Sequence, residues 1–185
     1  KNMRLGLDIS TSVIGVCIID NAGKIFSMSN IDLRKIDGTW EKADKVSAEM
    51  SSITNRSAWP VTSVYIDQNL SKFRPGFSSA STLMTLARFN GIVSYIAYKH
   101  LGLEPIYINV NEARKVVGIK IDKKDKIKST KEKIFEQVQP RLPTVKWQYK
   151  TIKTGKRKGE NVLDDASYDM ADAWIIASAG LKLHP

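Results

Sequence analysis

With 185 residues, 42% of them apolar and 26% charged, the chain has the length for one sizeable core and the balance of a globular domain. A formal charge of +10 points to a phosphate-rich partner, since basic groups displace condensed counterions from nucleic acid, and no basic amphipathic helix speaks for a membrane surface. One cysteine and two distant histidines, His100 and His184, exclude an internal disulfide and argue against a zinc site. No stretch is long and apolar enough to span a bilayer and no signal peptide opens the chain, so the expected setting is intracellular: a bacterial or host-cell cytoplasm, or an organelle.

Residues 3–9 and 13–20 are apolar, β-branched runs separated by Ser10-Thr11-Ser12. Asn21-Ala22-Gly23 turns the second run into a third strand over 24–30, so the chain opens as an antiparallel meander. Cys17, inside the second run, reads as a small buried hydrophobe. Residues 40–55 form a polar helix, and Pro60 closes the linker after it. Val61 to Asp67 alternates as a strand, with Val61, Ser63 and Tyr65 on one side and Thr62, Val64 and Ile66 on the other.

After a loop that turns at Arg74-Pro75-Gly76, a long helix spans about 79–100. Its apolar positions Leu83, Leu86, Ala87, Ile92, Val93, Ile96 and Ala97 recur at helical spacing, and Gly102 caps its end. Residues 105–110 make a strand, 111–117 a short helix ended by Gly118, and 124–138 another helix. Residues 139–163 are basic and hold Pro140, Pro143, Gly155 and Gly159; they read as a loop or β-excursion. A last helix covers about 165–180. Strands alternating with helices after a meander imply an α/β fold over 1–185, one domain with a mixed five-stranded sheet flanked by helices.

Four acids stand out in this frame. Asp8 ends the first strand and Asp67 the fourth; adjacent parallel strands would set them side by side at one sheet edge. Two anions so close repel unless a cation lies between them. Asp169 and Asp172 lie three apart on the last helix, on a face otherwise made apolar by Ala173, Ile176 and Ala177, so they point at the sheet. Hard carboxylate donors suit Mg²⁺, with Mn²⁺ as a substitute. Two such ions about 4 Å apart serve phosphodiester hydrolysis with no protein nucleophile, which agrees with the absence of a Ser-His or Cys-His grouping. Asp164 or Asp165 is expected to cap the last helix, and Asp165, one turn from Asp169, is a candidate further ligand.

Leu5-Gly-Leu-Asp-Ile-Ser-Thr-Ser12, Val64-Tyr-Ile-Asp-Gln68 and Asp169-Met-Ala-Asp-Ala173, in that order, resemble the RuvC family of Holliday-junction resolvases, of the RNase H-like superfamily. Ala87-Arg88 with Gly91, and Val116-Val-Gly-Ile119, are similar too. The resemblance implies an RNase H-like sheet and a homodimeric, Mg²⁺-dependent endonuclease with two ions per site that nicks four-way DNA junctions and other branched DNA. It implies Asp8, Asp67, Asp169 and Asp172 as ligands, a catalytic lysine at Lys124 or Lys126, and dimerisation through the helix near 79–100. A two-fold dimer suits a junction with two equivalent cleavage points.

The chain departs from the family in three places. Asp67 stands where the bacterial enzymes usually carry Glu. The loop from Gln68 to Ser79 is longer, with Phe73 as the candidate for the family's aromatic wedge, Phe77 behind it, and Lys72 and Arg74 beside it as DNA contacts. The basic run from Lys150 to Lys158 has no bacterial counterpart. These differences suggest a viral, phage or organellar branch.

Lys115, Lys120, Lys123, Lys124, Lys126 and Lys128 crowd one helix start, where they either contact DNA or form a solvated face partly neutralised by Asp122, Asp125 and Glu132. Lys156, Arg157 and Lys158, with Trp147 and Tyr149 upstream, suit backbone contact with stacking, or a hairpin with no specific task. Two other functions compete. Actin-like ATPases also open with a strand, Asp, Gly and Thr/Ser, but Ile9 stands where they usually have Gly and the chain is short for their two lobes. A non-catalytic nucleic-acid-binding module of RNase H fold would not need the four acids.

Overall fold

The computed structural model describes residues 2–56, 59–68, 79–122 and 124–185. Lys72, Phe73, Arg74, Phe77 and Lys123, expected to sit at or near DNA, lie outside this range. Three strands open the chain, β1 (Met3–Asp8), β2 (Val13–Asp20) and β3 (Ile25–Asp32), followed by helix α1 (Thr39–Arg56) and strand β4 (Val61–Asp67). Helix α2 (Ala80–Leu101), strand β5 (Ile106–Ile108), helix α3 (Val110–Val117) and helix α4 (Thr130–Val138) come next. A hairpin of β6 (Tyr149–Thr151) and β7 (Asn161–Leu163) precedes the last helix, α5 (Ala166–Leu183).

The main sheet has the order β3-β2-β1-β4-β5. The meander pairs antiparallel, while β4 joins β1 and β5 joins β4 in parallel. It is the mixed five-stranded sheet expected, with helices on both faces. Side-chain alternation sorts the layers. Leu5, Leu7, Val64 and Ile66 pack with Val46 and Met50 of α1 and with Phe89, Val93 and Ala97 of α2. The opposite face carries Gly6, Cys17 and Tyr65, against which α5 lies, flanked by α3 and α4. By the same alternation Asp8 shares a face with Gly6, and Asp67 with Tyr65. Both carboxylates therefore leave the sheet on the side of α5.

α5 sits unusually close to the sheet because small residues line the contact. A Cβ built on Gly6 would stand 2.6 Å from the Ala173 carbonyl oxygen, and one on Gly15 only 1.9 Å from that of Asp169. The apolar positions expected on α2 serve the core through Val93 and Ala97, so its exposed face is a different one, described below.

The helix expected over 124–138 starts only at Thr130. Ser129 accepts from the Glu132 amide while the Glu132 carboxylate accepts from the Ser129 amide, a reciprocal cap that fixes the start. Upstream, Asp122 and Asp125 accept from the Lys124 and Ile127 amides, and these local bonds hold the chain in turns.

Candidate functional site

The C-terminal edges of β1 and β4, the start of α3, Lys131 of α4 and the first three turns of α5 surround one open cavity of about 670 Å³. Asp8, Asp67, Asp169 and Asp172 all line it, beside Ser10, Asn109, Arg114 and Lys131. Each arrives by a separate local cause. Parallel pairing in the register Leu7↔Ile66 sets Asp8 and Asp67 one residue further along adjacent strands, and the Ile9 amide donates to Asp67 Oδ1 at 3.1 Å. Asp169 and Asp172 share the sheet-facing side of α5, whose approach the glycines permit.

The start of α5 is fixed by Asp164, not Asp165. Asp164 Oδ1 accepts from the Ala166 amide at 2.9 Å, and Arg34 grips both Asp164 oxygens from the end of β3. Asp165 makes no capping bond; it is exposed, 3.4 Å from Lys150 Nζ, and does not line the cavity. Asn109 caps α3, accepting from the Asn111 and Glu112 amides, and Gly118 ends that helix at φ 79°.

Burial makes all four carboxylates hard to ionise. It pushes Asp67 up to about 7, partly offset by the Ile9 amide and reinforced by Asp172. It pushes Asp169 up to about 6, against the pull of Lys131. Asp172 is raised by burial against Arg114. Asp8 is raised well above the usual range, by burial first and then by Asp172, Asp67 and Asp169. The cationic relief is loose: Arg114 Nη2 is 3.5 Å from Asp172 Oδ1 and Lys131 Nζ is 3.6 Å from Asp169 Oδ1. Asp67 is 1% exposed, and among the described residues nothing donates to its Oδ2. Arg114 Nε is also buried with no acceptor among them.

A buried carboxylate oxygen without a donor is costly, and a bound cation is one group that would satisfy it. The donors are all hard oxygens, the chemistry of Mg²⁺ or Mn²⁺ rather than of thiophilic metals. In that sense the residues fit a divalent ion. They do not form a closed cage as they stand: among the described residues no three Asp, Glu, His or Cys side chains are gathered to hold one ion. The four acids share one cavity, and each of the helical pair faces a basic side chain within it.

Lys124, Lys126 and Lys128 are exposed on the turns before α4 and do not line the cavity. Among the described residues the lysine that does is Lys131, unnoticed in the sequence because only the docking of α4 beside α5 brings it there. Arg114 went unnoticed for the same reason. Lys115 and Lys120 line a smaller cavity of about 240 Å³ that shares Asn111 and Arg114 with the first. Lys156, Arg157 and Lys158 lie on the β6–β7 hairpin, outside both. No helix among the described residues is long and apolar enough to cross a membrane.

No family model matches the chain, and no curated protein matches it. Among solved structures it is similar to Thermus thermophilus RuvC in complex with a Holliday junction substrate, at 10% identity and a TM-score of 0.63, covering 100% of this chain and 97% of that one. A second T. thermophilus RuvC structure gives 11% identity and a TM-score of 0.59, over 98% and 96% of the two chains. An inorganic polyphosphate/ATP-glucomannokinase from Arthrobacter sp. strain KM matches at 17% identity and a TM-score of 0.42, over 70% of this chain and 52% of that one. At such identities the likeness to RuvC is one of fold: the chain has a RuvC-like, RNase H-like fold.

Proposed function

We propose that the protein is a divalent-cation-dependent endodeoxyribonuclease that cleaves four-way junctions and related branched DNA. The observation that carries this is the convergence of Asp8, Asp67, Asp169 and Asp172 on one open cavity, with a buried Asp67 oxygen left without a donor. The RuvC-like fold supports it, since one similar structure holds a Holliday junction substrate.

In this reading the four aspartates hold two Mg²⁺ ions, for which Mn²⁺ can substitute. When bound, such ions lower the pKa of an attacking water and stabilise charge on the phosphate and the leaving 3′ oxygen. The chain's own residues do the rest. Asp67 stays fixed by the Ile9 amide, which holds one carboxylate oxygen and leaves the other buried without a donor among the described residues. Lys131 reaches the cavity from the exposed start of α4 and supplies positive charge where phosphate negativity grows. Arg114 holds Asp172 from the α3 side. The protein works as a dimer through α2, whose exposed residues Met84, Arg88, Gly91, Tyr95 and Tyr98 alternate in steps of four and three. Among the described residues a Cβ on Gly91 would meet nothing within 4 Å, so a second helix has room to approach there.

Incubation with Mg²⁺ and labelled four-way junction, linear duplex and RNA–DNA hybrid tests the reading. The expected result is junction nicking, lost in Asp8→Asn. ATP hydrolysis without nicking, or tight binding by a wild type that never cleaves, would overturn it.

A further inference from the structure

The β6–β7 hairpin takes no part in the cavity, and only its base, through Leu163, packs against the core. From Tyr149 to Asn161 every residue is exposed except the half-buried Ile152. It is nevertheless well built. Beyond the paired strands, the Ile152 amide donates to the Glu160 carbonyl and the Gly159 amide to the Ile152 carbonyl. Gly155 and Gly159 turn the tip at φ 82° and 93°, values that L side chains rarely adopt. Its base is tied to the first turn of α5. The Gln148 amide donates to Ser167 Oγ, Ser167 Oγ donates to the Gln148 carbonyl, and the Asp164 amide donates to the same carbonyl. Trp147, just before it, packs edge-on against Phe135 of α4. The arm is thus fastened two residues from Asp169 and next to the helix that carries Lys131.

Between Tyr149 and Glu160 the chain has five basic residues and one acid. Arg157 pairs with Glu160 at 2.7 Å and Lys150 with Asp165 at 3.4 Å. Among the described residues Lys153, Lys156 and Lys158 have no carboxylate partner. At roughly 3.3 Å per residue, the stretch from Gln148 to Gly155 projects these charges on the order of 20 Å from α5. From Lys153 to Glu160 the ribbon carries no apolar side chain, so its tip suits neither membrane insertion nor a protein interface, both of which need buried apolar anchors. Backbone phosphates need only cations.

We propose that the hairpin is a duplex-binding arm: Lys153, Lys156 and Lys158 hold the sugar-phosphate backbone of a DNA duplex outside the cavity, without reading its sequence. This rests on the nuclease reading and adds to it a second, purely electrostatic contact that positions one helical arm of the substrate.

The test is the salt dependence of binding, measured with a labelled linear duplex and a labelled four-way junction, Ca²⁺ replacing Mg²⁺. The triple variant Lys153→Gln, Lys156→Gln, Lys158→Gln is compared with a control triple, Lys24→Gln, Lys99→Gln, Lys182→Gln, at the far end of the sheet. Each lost phosphate contact lowers the slope of log K against log salt by about 0.9, so the arm variant is expected to lose roughly 2–3 from the slope and to bind both substrates about tenfold more weakly at moderate salt. Thermal melts equal to wild type exclude misfolding, and the control triple should bind as wild type does. An arm variant with unchanged slope, or a control that loses as much, overturns the proposal. A wild type that binds and nicks junctions while the arm variant is indistinguishable from it sinks the arm alone; a wild type that binds no DNA sinks the nuclease reading.

Discussion

Gly15 of β2 lies against the main-chain carbonyl of Asp169 so closely that a methyl group would stand 1.9 Å from that oxygen. The contact is backbone to backbone, so neither side can swing away. Gly15→Ala must lift the first turns of α5 off the sheet, and Asp169 and Asp172 with them. Overpacking of this kind costs about 1–3 kcal/mol, or several degrees of Tm at roughly 2–4 °C per kcal/mol. Melting curves should show that drop, together with a cleavage loss larger than the drop in folded fraction. A variant as stable and active as wild type would mean that α5 is not seated this way.

Asp67→Asn should raise the Tm of chelator-treated protein at pH 8 by a few degrees, because it removes a buried charge whose Oδ2 has no donor among the described residues. If the four acids bind Mg²⁺ as proposed, the wild type should gain an upward Tm shift with Mg²⁺, and the same substitution should abolish that shift and cleavage with it. The two melts, with and without Mg²⁺, check both halves. A destabilised variant without metal would contradict the view that this carboxylate is held at a cost to the fold.

Lys131→Gln should lower the single-turnover cleavage rate on the order of 10²-fold, with Lys131→Arg intermediate. Lys124→Gln and Lys126→Gln, on the exposed turns, should each cost less. Equal losses at all three positions would assign the effect to general phosphate attraction rather than to the lysine beside Asp169.

Tyr95, 61% exposed on the outer face of α2, makes a test of the dimer. Tyr95→Glu, or Gly91→Arg in the open space beside it, should convert a dimer to a monomer in light scattering without changing the melt of the isolated fold. Junction cleavage should then lose its paired, symmetric nicks. A wild type that is already monomeric at micromolar concentration would discard the α2 interface.

The acid limb of stability should depend on Asp32. Its hydrogen bond to Arg34 holds its carboxyl down at about 2, from an ordinary 3.8. A depressed acid stabilises the fold above the unfolded value and loses that contribution as pH falls from about 4 to about 2. Because the pair is well exposed, screening leaves it about 1 kcal/mol or less. Asp32→Asn should thus lower Tm by roughly 1–3 °C at pH 7 and by nothing near pH 2.

The sheet and the convergence of the four acids on one cavity were legible because both rest on short-range signals. β-branched runs punctuated by Asn-Ala-Gly and Pro mark the strands, and the three-residue step from Asp169 to Asp172 puts both on one helical face. The start of α4 was not, since Asp122 and Asp125 spend their side chains on local turns that periodicity does not register. Nor were Lys131 and Arg114, whose meaning lies in which helix docks beside which. The choice between Asp164 and Asp165 was settled by Arg34, a residue 130 positions away.

The parallel pairing of β1 with β4, and the late place of α5 in the chain, also bear on when the site comes into being. Asp8 meets Asp67 only after α1 has carried the chain across, and the remaining two acids follow every strand in synthesis order. A nascent chain that ends before Asp169 therefore carries only two of the four acids, and on the proposed reading it cannot cleave nucleic acid until its last helix has folded down.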